Sequence, residues 1–271
     1  MSLFIASLNS GSNGNCYYIG NQEEAVLVDA GISCRETEQR MQRLGLSMKT
    51  VKAIFVSHEH SDHITGIPVL ARKYRLPVYI TAGTLQQGGL KLAPEQVCSF
   101  SAHEPVQVGN LCVTAFPKFH DAADPHSFIV RTNAVTIGIF TDIGQPCAQL
   151  TAHFKMCHAA FLEANYDEDT LLKGRYPWML KNRIRGGRGH LSNAQALSLF
   201  RDHRPPFMSH LLLAHLSKDN NDPSLVEQLF RAHARGTEIV VASRYAETAL
   251  YHITATPGTS REGRRKQLSL F

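Results

Sequence analysis

The sequence is short of several things, and each shortage narrows its reading. No apolar run approaches the roughly 18–20 residues of a bilayer-spanning helix, so no membrane partner is expected. Met1-Ser2-Leu3-Phe4 carries no basic n-region, so no signal peptide is read and a cytoplasmic protein is expected. The six cysteines, Cys16, Cys34, Cys98, Cys112, Cys147 and Cys157, include no C-x-x-C pair. In a chain of this size without a leader they read as buried or idle thiols, not as a disulfide framework. Internal repeats are not evident. Charged residues make up only 19 % of the chain against 43 % hydrophobic, which is globular composition and excludes a disordered chain.

Acidic residues are missing from one long stretch. Between Thr170 and Phe200 there is none, while Lys173, Arg175, Lys181, Arg183, Arg185 and Arg188 are all basic. The last eleven residues add Arg261, Arg264, Arg265 and Lys266 against Glu262. These two places hold more than the whole net charge of +5. A value of +5 does not by itself indicate nucleic acid, but its placement does matter.

The 271 residues fit one large domain or two small ones. Short β-type runs at 4–8, 16–19 and 25–29 surround the turn-rich Ser10-Gly-Ser-Asn-Gly-Asn15. Further strands are expected at 52–57, 77–80, 97–100, 106–108, 111–115, 128–131, 136–140, 159–162, 210–214 and 238–241. Helices are expected at 33–44, 64–74, 81–88, 167–172, 178–184, 193–200 and 223–234. The mixture predicts α/β layers, strand-rich first with βα units after. Tyr176 and Trp178 read as core aromatics, with base stacking as the other reading. From about Thr254 the composition becomes that of a linker.

What the sequence has in abundance is histidine, 14 in all. The expected strand at 52–57 runs into His58-Glu59-His60-Ser61-Asp62-His63. Strand ends that open into loops are where α/β folds put ligands. Neutral imidazoles and a carboxylate are the donors that Zn²⁺, Mn²⁺ or Fe²⁺ accept. His58 and His60 point the same way from an extended segment, and Asp62 and His63 fall on the following turn. That arrangement offers two groups of ligands for two ions; a His-rich polar surface loop is the other reading.

His58-x-His60-x-Asp62-His63 resembles the signature of the metallo-β-lactamase fold superfamily. The resemblance implies a four-layer αβ/βα sandwich over residues 1–253, with 254–271 as a flexible basic tail. By it, Asp29 in Leu27-Val28-Asp29-Ala30-Gly31 matches a structural aspartate. His58, His60 and His120 would hold one divalent ion; Asp62, His63 and His215 would hold the other, with Asp142 bridging them. Ser10–Asn15, His120–Pro125, Leu162-Glu-Ala-Asn165, Arg188-Gly-His-Leu-Ser192 and His215–Asn221 are similar to the YycJ/WalJ branch, associated with 5′→3′ exonuclease action on DNA.

Two ions would supply a nucleophile and neutralise a phosphodiester, but not a proton for the leaving alkoxide. Glu163 and His190-Leu-Ser192 resemble the Glu…His-Ser/Thr pair of phosphodiesterases on this fold, including tRNA 3′-processing enzymes. There His190 would be the proton donor and Glu163 its orienting partner; the other reading makes His190 a helix cap. Lys181, Arg183, Arg185 and Arg188 lead into His190 beside two glycines and suit phosphates, although a charge run is often only a solvated helix face. The ending Gln267-Leu268-Ser269-Leu270-Phe271 resembles the peptide that bacterial polymerases and repair proteins insert into the β sliding clamp. Such a tether raises local concentration without catalytic contacts; the other reading is a tail packed on its own domain. The expectation is therefore a clamp-tethered DNA exonuclease of replication-linked repair. An RNA nuclease, a small phosphodiesterase, or a clamp-bound accessory protein with a regulatory metal site are the alternatives.

Overall fold

The structure, a computed structural model, describes residues 2–255. Most of the expected tail, including Gln267, Leu268, Ser269, Leu270 and Phe271, lies outside the described residues. The chain opens with an antiparallel meander, β1 (Leu3–Asn9), β2 (Cys16–Gly20) and β3 (Ala25–Val28). Parallel strands β4 (Val51–Phe55), β5 (Val78–Tyr79) and β6 (Val97–Cys98) extend the sheet. Helices α1 (Cys34–Arg43), α2 (Ser61–Ile64), α3 (Ile67–Tyr74) and α4 (Ala82–Gly88) lie between these strands in the chain.

The second half repeats the plan. A meander of β7 (Pro105–Val108), β8 (Leu111–Pro117), β9 (His126–Arg131) and β10 (Thr136–Phe140) leads into parallel β11 (Ala159–Glu163), β12 (His210–Ala214) and β13 (Glu238–Val241). Its helices are α5 (Ala148–Phe154), α6 (Glu168–Lys173), α7 (Trp178–Arg185), α8 (Asn193–His203) and α9 (Pro223–Arg231). Strand β14 (Tyr251–Ile253) then returns to pair antiparallel with β1.

Each sheet has seven strands among the described residues. Tyr17, Phe55, Phe128, Phe161 and Leu212 pack between the two sheets. The outer face of the first sheet buries Leu27 and Ile54 against Met41 of α1 and Leu70 of α3. That of the second buries Phe140 and Leu213 against Leu150, Phe200 and Phe230 of α5, α8 and α9. This is the expected four-layer αβ/βα sandwich. Because both faces of each sheet are covered, β11 and β12 read as near-continuous apolar runs, Ala-Ala-Phe-Leu and Leu-Leu-Leu-Ala.

Three expectations are corrected. The strands do not come first with βα units after; each half has its own meander and its own βα units. The single helix expected at 64–74 is two, α2 and α3, separated at Gly66, whose N–H donates to Ala30 O at 2.8 Å. A Cβ at Gly66 would collide with Ile32 O, so the glycine is required for that close approach. Helix α5 and strand β14 were not expected; both are short and carry little periodicity.

Candidate metal centre and catalytic cleft

The candidate residues gather at the strand C-termini of both sheets. Asp29 follows β3, His58 and His60 follow β4, and Asp62 and His63 lie on α2. His120 follows β8, Asp142 follows β10, Glu163 ends β11 and His215 follows β12. Asp29, Asp142 and His215 have positive φ of 59°, 55° and 56°. This left-handed conformation, strained for residues other than glycine, turns each chain sharply as it leaves its strand.

Two donor trios result. His58 Nε2 and His120 Nε2 lie 3.1 and 3.2 Å from His60 Nδ1. Asp62 Oδ2 lies 3.3 Å from His215 Nε2 and 3.5 Å from His63 Nε2. Asp142 stands between them, its oxygens 3.2 Å from His63 Nε2, 3.6 Å from His215 Nε2 and 3.9 Å from His120 Nε2.

The donor set fits cations. Asp142 Oδ2 is buried and, although close to His63 Nε2, accepts no well-aligned hydrogen bond among the described residues. Burial, first of all, holds the His58 imidazole well below its ordinary pKa and His120 at about 3, so their ring lone pairs are free to donate. Burial pulls the His63 and His215 imidazoles down as well, but the surrounding carboxylates, Asp142 first, more than reverse it, taking His215 to about 10. The cluster thus draws positive charge inward, and the described geometry groups His58–His60–His120 and Asp62–His63–His215 as candidate ion sites.

A second layer of hydrogen bonds fixes the rings. Asp29 Oδ2 accepts from His63 Nδ1 at 2.7 Å and from Ser57 Oγ at 2.8 Å, and Asp29 Oδ1 accepts from Ser57 N. Ser57 Oγ in turn lies 2.8 Å from His58 Nδ1. His120 Nδ1 donates to Gly189 O at 3.1 Å. Such partners set the tautomer and aim the other nitrogen at a metal. A Cβ at Gly31 would collide with Asp62 O, so this glycine lets the loop after β3 lie against the histidine motif.

Glu163 is the hub of the remaining bonds. Its Oε1 lies 2.7 Å from His190 Nδ1 and 3.1 Å from His215 Nδ1, and its Oε2 accepts from Ile143 N and Leu191 N. Burial would raise its pKa, but the His190 charge and these bonds hold it at about 2. With Nδ1 engaged, His190 Nε2 is left for the cleft that the residue lines. The helix-cap reading of His190 does not hold: Ser192 caps α8, with Gln195 completing a capping box.

The cleft has a volume of about 400 Å³ and is lined by His60, Asp62, Asp142, His190 and His215, with Arg183 and Tyr176 on its wall. The four basic candidates differ in placement. Lys181 is corrected as a phosphate contact: it is buried, and its Nζ donates to Leu172 O and Gly174 O at 2.7 Å. Arg183 pairs with Asp121 at 2.5 Å on the cleft wall. Arg185 lies 4.9 Å over the Trp178 ring, and Arg188 lines a neighbouring depression together with Arg183. Trp178 is 58 % exposed and is corrected as a core residue; Tyr176 is half-buried, its hydroxyl bonded to Asp219.

Several neighbours have roles that the sequence does not assign. Asn15 Nδ2 lies 3.1 Å from both Asp62 Oδ2 and His63 Nε2. Ser10 Oγ accepts from His215 N, and Asn165 Nδ2 donates to His215 O, both at 2.7 Å. All three lie in segments that carry the family resemblance, Ser10–Asn15 and Leu162–Asn165, which marks the segments but assigns these side chains no role.

Residues 24–216 match the beta-lactamase superfamily domain. The chain is 38 % identical over 224 residues to the exodeoxyribonuclease YycJ of Bacillus anthracis, covering 82 % of this chain and 85 % of that relative. It is 30 % identical over 260 residues to the exodeoxyribonuclease WalJ of Streptococcus pneumoniae, covering 93 % and 96 %. Among solved structures, the metallo-β-lactamase fold protein YhfI of Bacillus subtilis superposes with a TM-score of 0.72 at 14 % identity, covering 93 % of this chain and 100 % of that one. By its fold, its donor set and these relatives, the chain is a metal-dependent hydrolase that belongs to the beta-lactamase superfamily, on its YycJ/WalJ branch.

Proposed function

We propose that the chain is a 5′→3′ DNA exonuclease, working with two divalent ions (Zn²⁺ or Mn²⁺, or Fe²⁺), delivered to DNA by a β sliding clamp and serving repair such as mismatch repair. His58, His60 and His120 would hold one ion and Asp62, His63 and His215 the other, with the Asp142 carboxylate lying between the two donor sets. Bound ions supply charge neutralisation and an activated water at neutral pH.

The observation that carries this reading is the Glu163–His190 pair at 2.7 Å, opening on the metal-facing cleft. Glu163 holds the His190 ring so that Nε2–H faces the substrate. In its protonated form His190 gives that proton to the leaving alkoxide, a contribution of about 10²–10⁴-fold. Diester hydrolysis needs such a donor because an alkoxide is a poor leaving group. Arg183, on the cleft wall, can exchange its exposed bond to Asp121 for a substrate phosphate. DNA as the substrate rests on the names of the YycJ and WalJ relatives, and the clamp on the resemblance of Gln267–Phe271 to clamp peptides.

The test is digestion of end-labelled single- and double-stranded DNA and RNA by the metal-loaded protein, with 5′-phosphate and 5′-hydroxyl ends compared. Early release of a 5′ label from DNA as mononucleotide is expected. Preference for RNA would make this an RNA nuclease. Two bound ions without hydrolysis of any nucleic acid would leave an accessory protein.

A further inference from the structure

We propose that a hollow beside the metal cleft is the subsite for a nucleobase flanking the scissile phosphate. The proposal rests on the nuclease reading above. The hollow encloses about 250 Å³, with Leu216, Pro223 and Val241 on its walls and Lys218, Arg244 and Tyr245 at its rim.

It adjoins the reacting centre. Ser217, two residues beyond His215, lines both the hollow and the cleft. Ser10, another wall residue, accepts the His215 backbone N–H at 2.7 Å. A nucleotide whose phosphate lies against the metal donors therefore has this hollow as a neighbouring apolar recess.

Its chemistry matches a nucleotide. Tyr245 is 72 % exposed; an aromatic face at the edge of an apolar recess is a stacking platform that accepts any base. No acidic side chain lines the hollow, whereas Asp62, Asp121 and Asp142 line the cleft. Neither the Lys218 ammonium nor the Arg244 guanidinium has a hydrogen-bond or ion-pair partner among the described residues. Both cations are thus unengaged and able to meet a phosphate.

The rim is also preorganised. Ser10 N donates to Ser243 O at 3.1 Å, Asn13 Nδ2 to Arg244 O at 2.9 Å and Tyr245 N to Ser243 Oγ at 3.0 Å. The backbone that carries Arg244 and Tyr245 is therefore tied to the Ser10–Asn15 loop, and the Arg244 side chain lies over Gly11 of that loop with its guanidinium unpaired. Fixing the backbone in advance reduces the ordering that a ligand must impose.

The test compares kcat/KM on oligonucleotides with a natural base, or an abasic residue, at each position flanking the first scissile bond. The wild type should prefer the natural end by about tenfold at one of these positions. Tyr245→Ala should bring that ratio close to one, and Tyr245→Phe should keep it. Arg244→Ala should raise KM and lower the salt dependence of KM by about one charge. A wild type indifferent to abasic residues, or a Tyr245→Ala variant that keeps the full preference, overturns the subsite and leaves the nuclease reading standing. A wild type that cleaves no nucleic acid while binding two ions overturns both.

Discussion

Asp29 accepts the Nδ1–H of His63 at 2.7 Å, and both side chains are completely buried. The same carboxylate takes the Ser57 backbone N–H and hydroxyl, so it aims His63 directly and, through Ser57, His58. Asp29→Asn places an amide among these donors and leaves one of them unanswered. We expect metal affinity to fall about 10–100-fold, read by chelator competition, with thermal stability reduced. Unaltered affinity would confine Asp29 to a packing role.

His190→Ala should lower kcat on DNA by about 10²–10⁴-fold with little change in DNA affinity. The loss should shrink sharply on bis(p-nitrophenyl) phosphate, whose leaving group departs without a proton. Equal losses on both substrates would mean that His190 is not the donor.

Lys181 and Arg183 should separate. Lys181→Met removes the two hydrogen bonds that this buried residue gives to the Leu172 and Gly174 carbonyls at the α6–α7 turn, so it should destabilise the fold and leave the salt slope of DNA binding alone. Arg183→Ala should weaken DNA binding and reduce that slope by about one. Comparable slopes in both variants would return Arg183 to a solvated helix face.

This contrast shows how far the sequence could be read. His58, His60, Asp62 and His63 were legible because four donors are contiguous and need no tertiary contact to be grouped. Asp142 and His215 were legible only as strand ends matching a known pattern. The roles of Ser57, Asn15 and Asn165 were not, even where the segment itself matched the pattern, since those roles exist only after distant loops meet. The basic run was legible as charge but not as direction: a helix displays its residues all around, and Lys181 turns inward while Arg183 turns to the cleft. Trp178 departs from its expected place in the core because a ring can satisfy its face outside, under the Arg185 guanidinium.

Away from the cleft, Glu38 joins α1 to α3. Its Oε1 accepts from Lys73 Nζ at 2.6 Å, Tyr74 hydroxyl at 2.7 Å and Cys34 Sγ at 3.1 Å. The bond from Lys73, then that from Cys34, lowers its pKa from 4.5 to about 2. A lowered carboxylate stabilises the fold above its ordinary value, and that share is lost as pH falls from 4.5 towards 2. The stability gap between the wild type and Glu38→Gln, measured by urea unfolding, should therefore be widest at neutral pH and close on acidification. A gap that widens in acid would refute the assignment.

Removing Gln267–Phe271 should abolish clamp binding and spare digestion of short oligonucleotides. Surface-plasmon measurement on immobilised clamp decides it, and undiminished binding would refute the tail reading.

The register of β14 has a practical consequence. Ile253 pairs with Leu3 at the start of β1, while the other end of β1 leads to Ser10 beside His215. The last described strand therefore points away from the metal face. A fluorophore placed on Thr254, directly after this strand, would stand clear of the cleft and should leave access of long DNA unchanged.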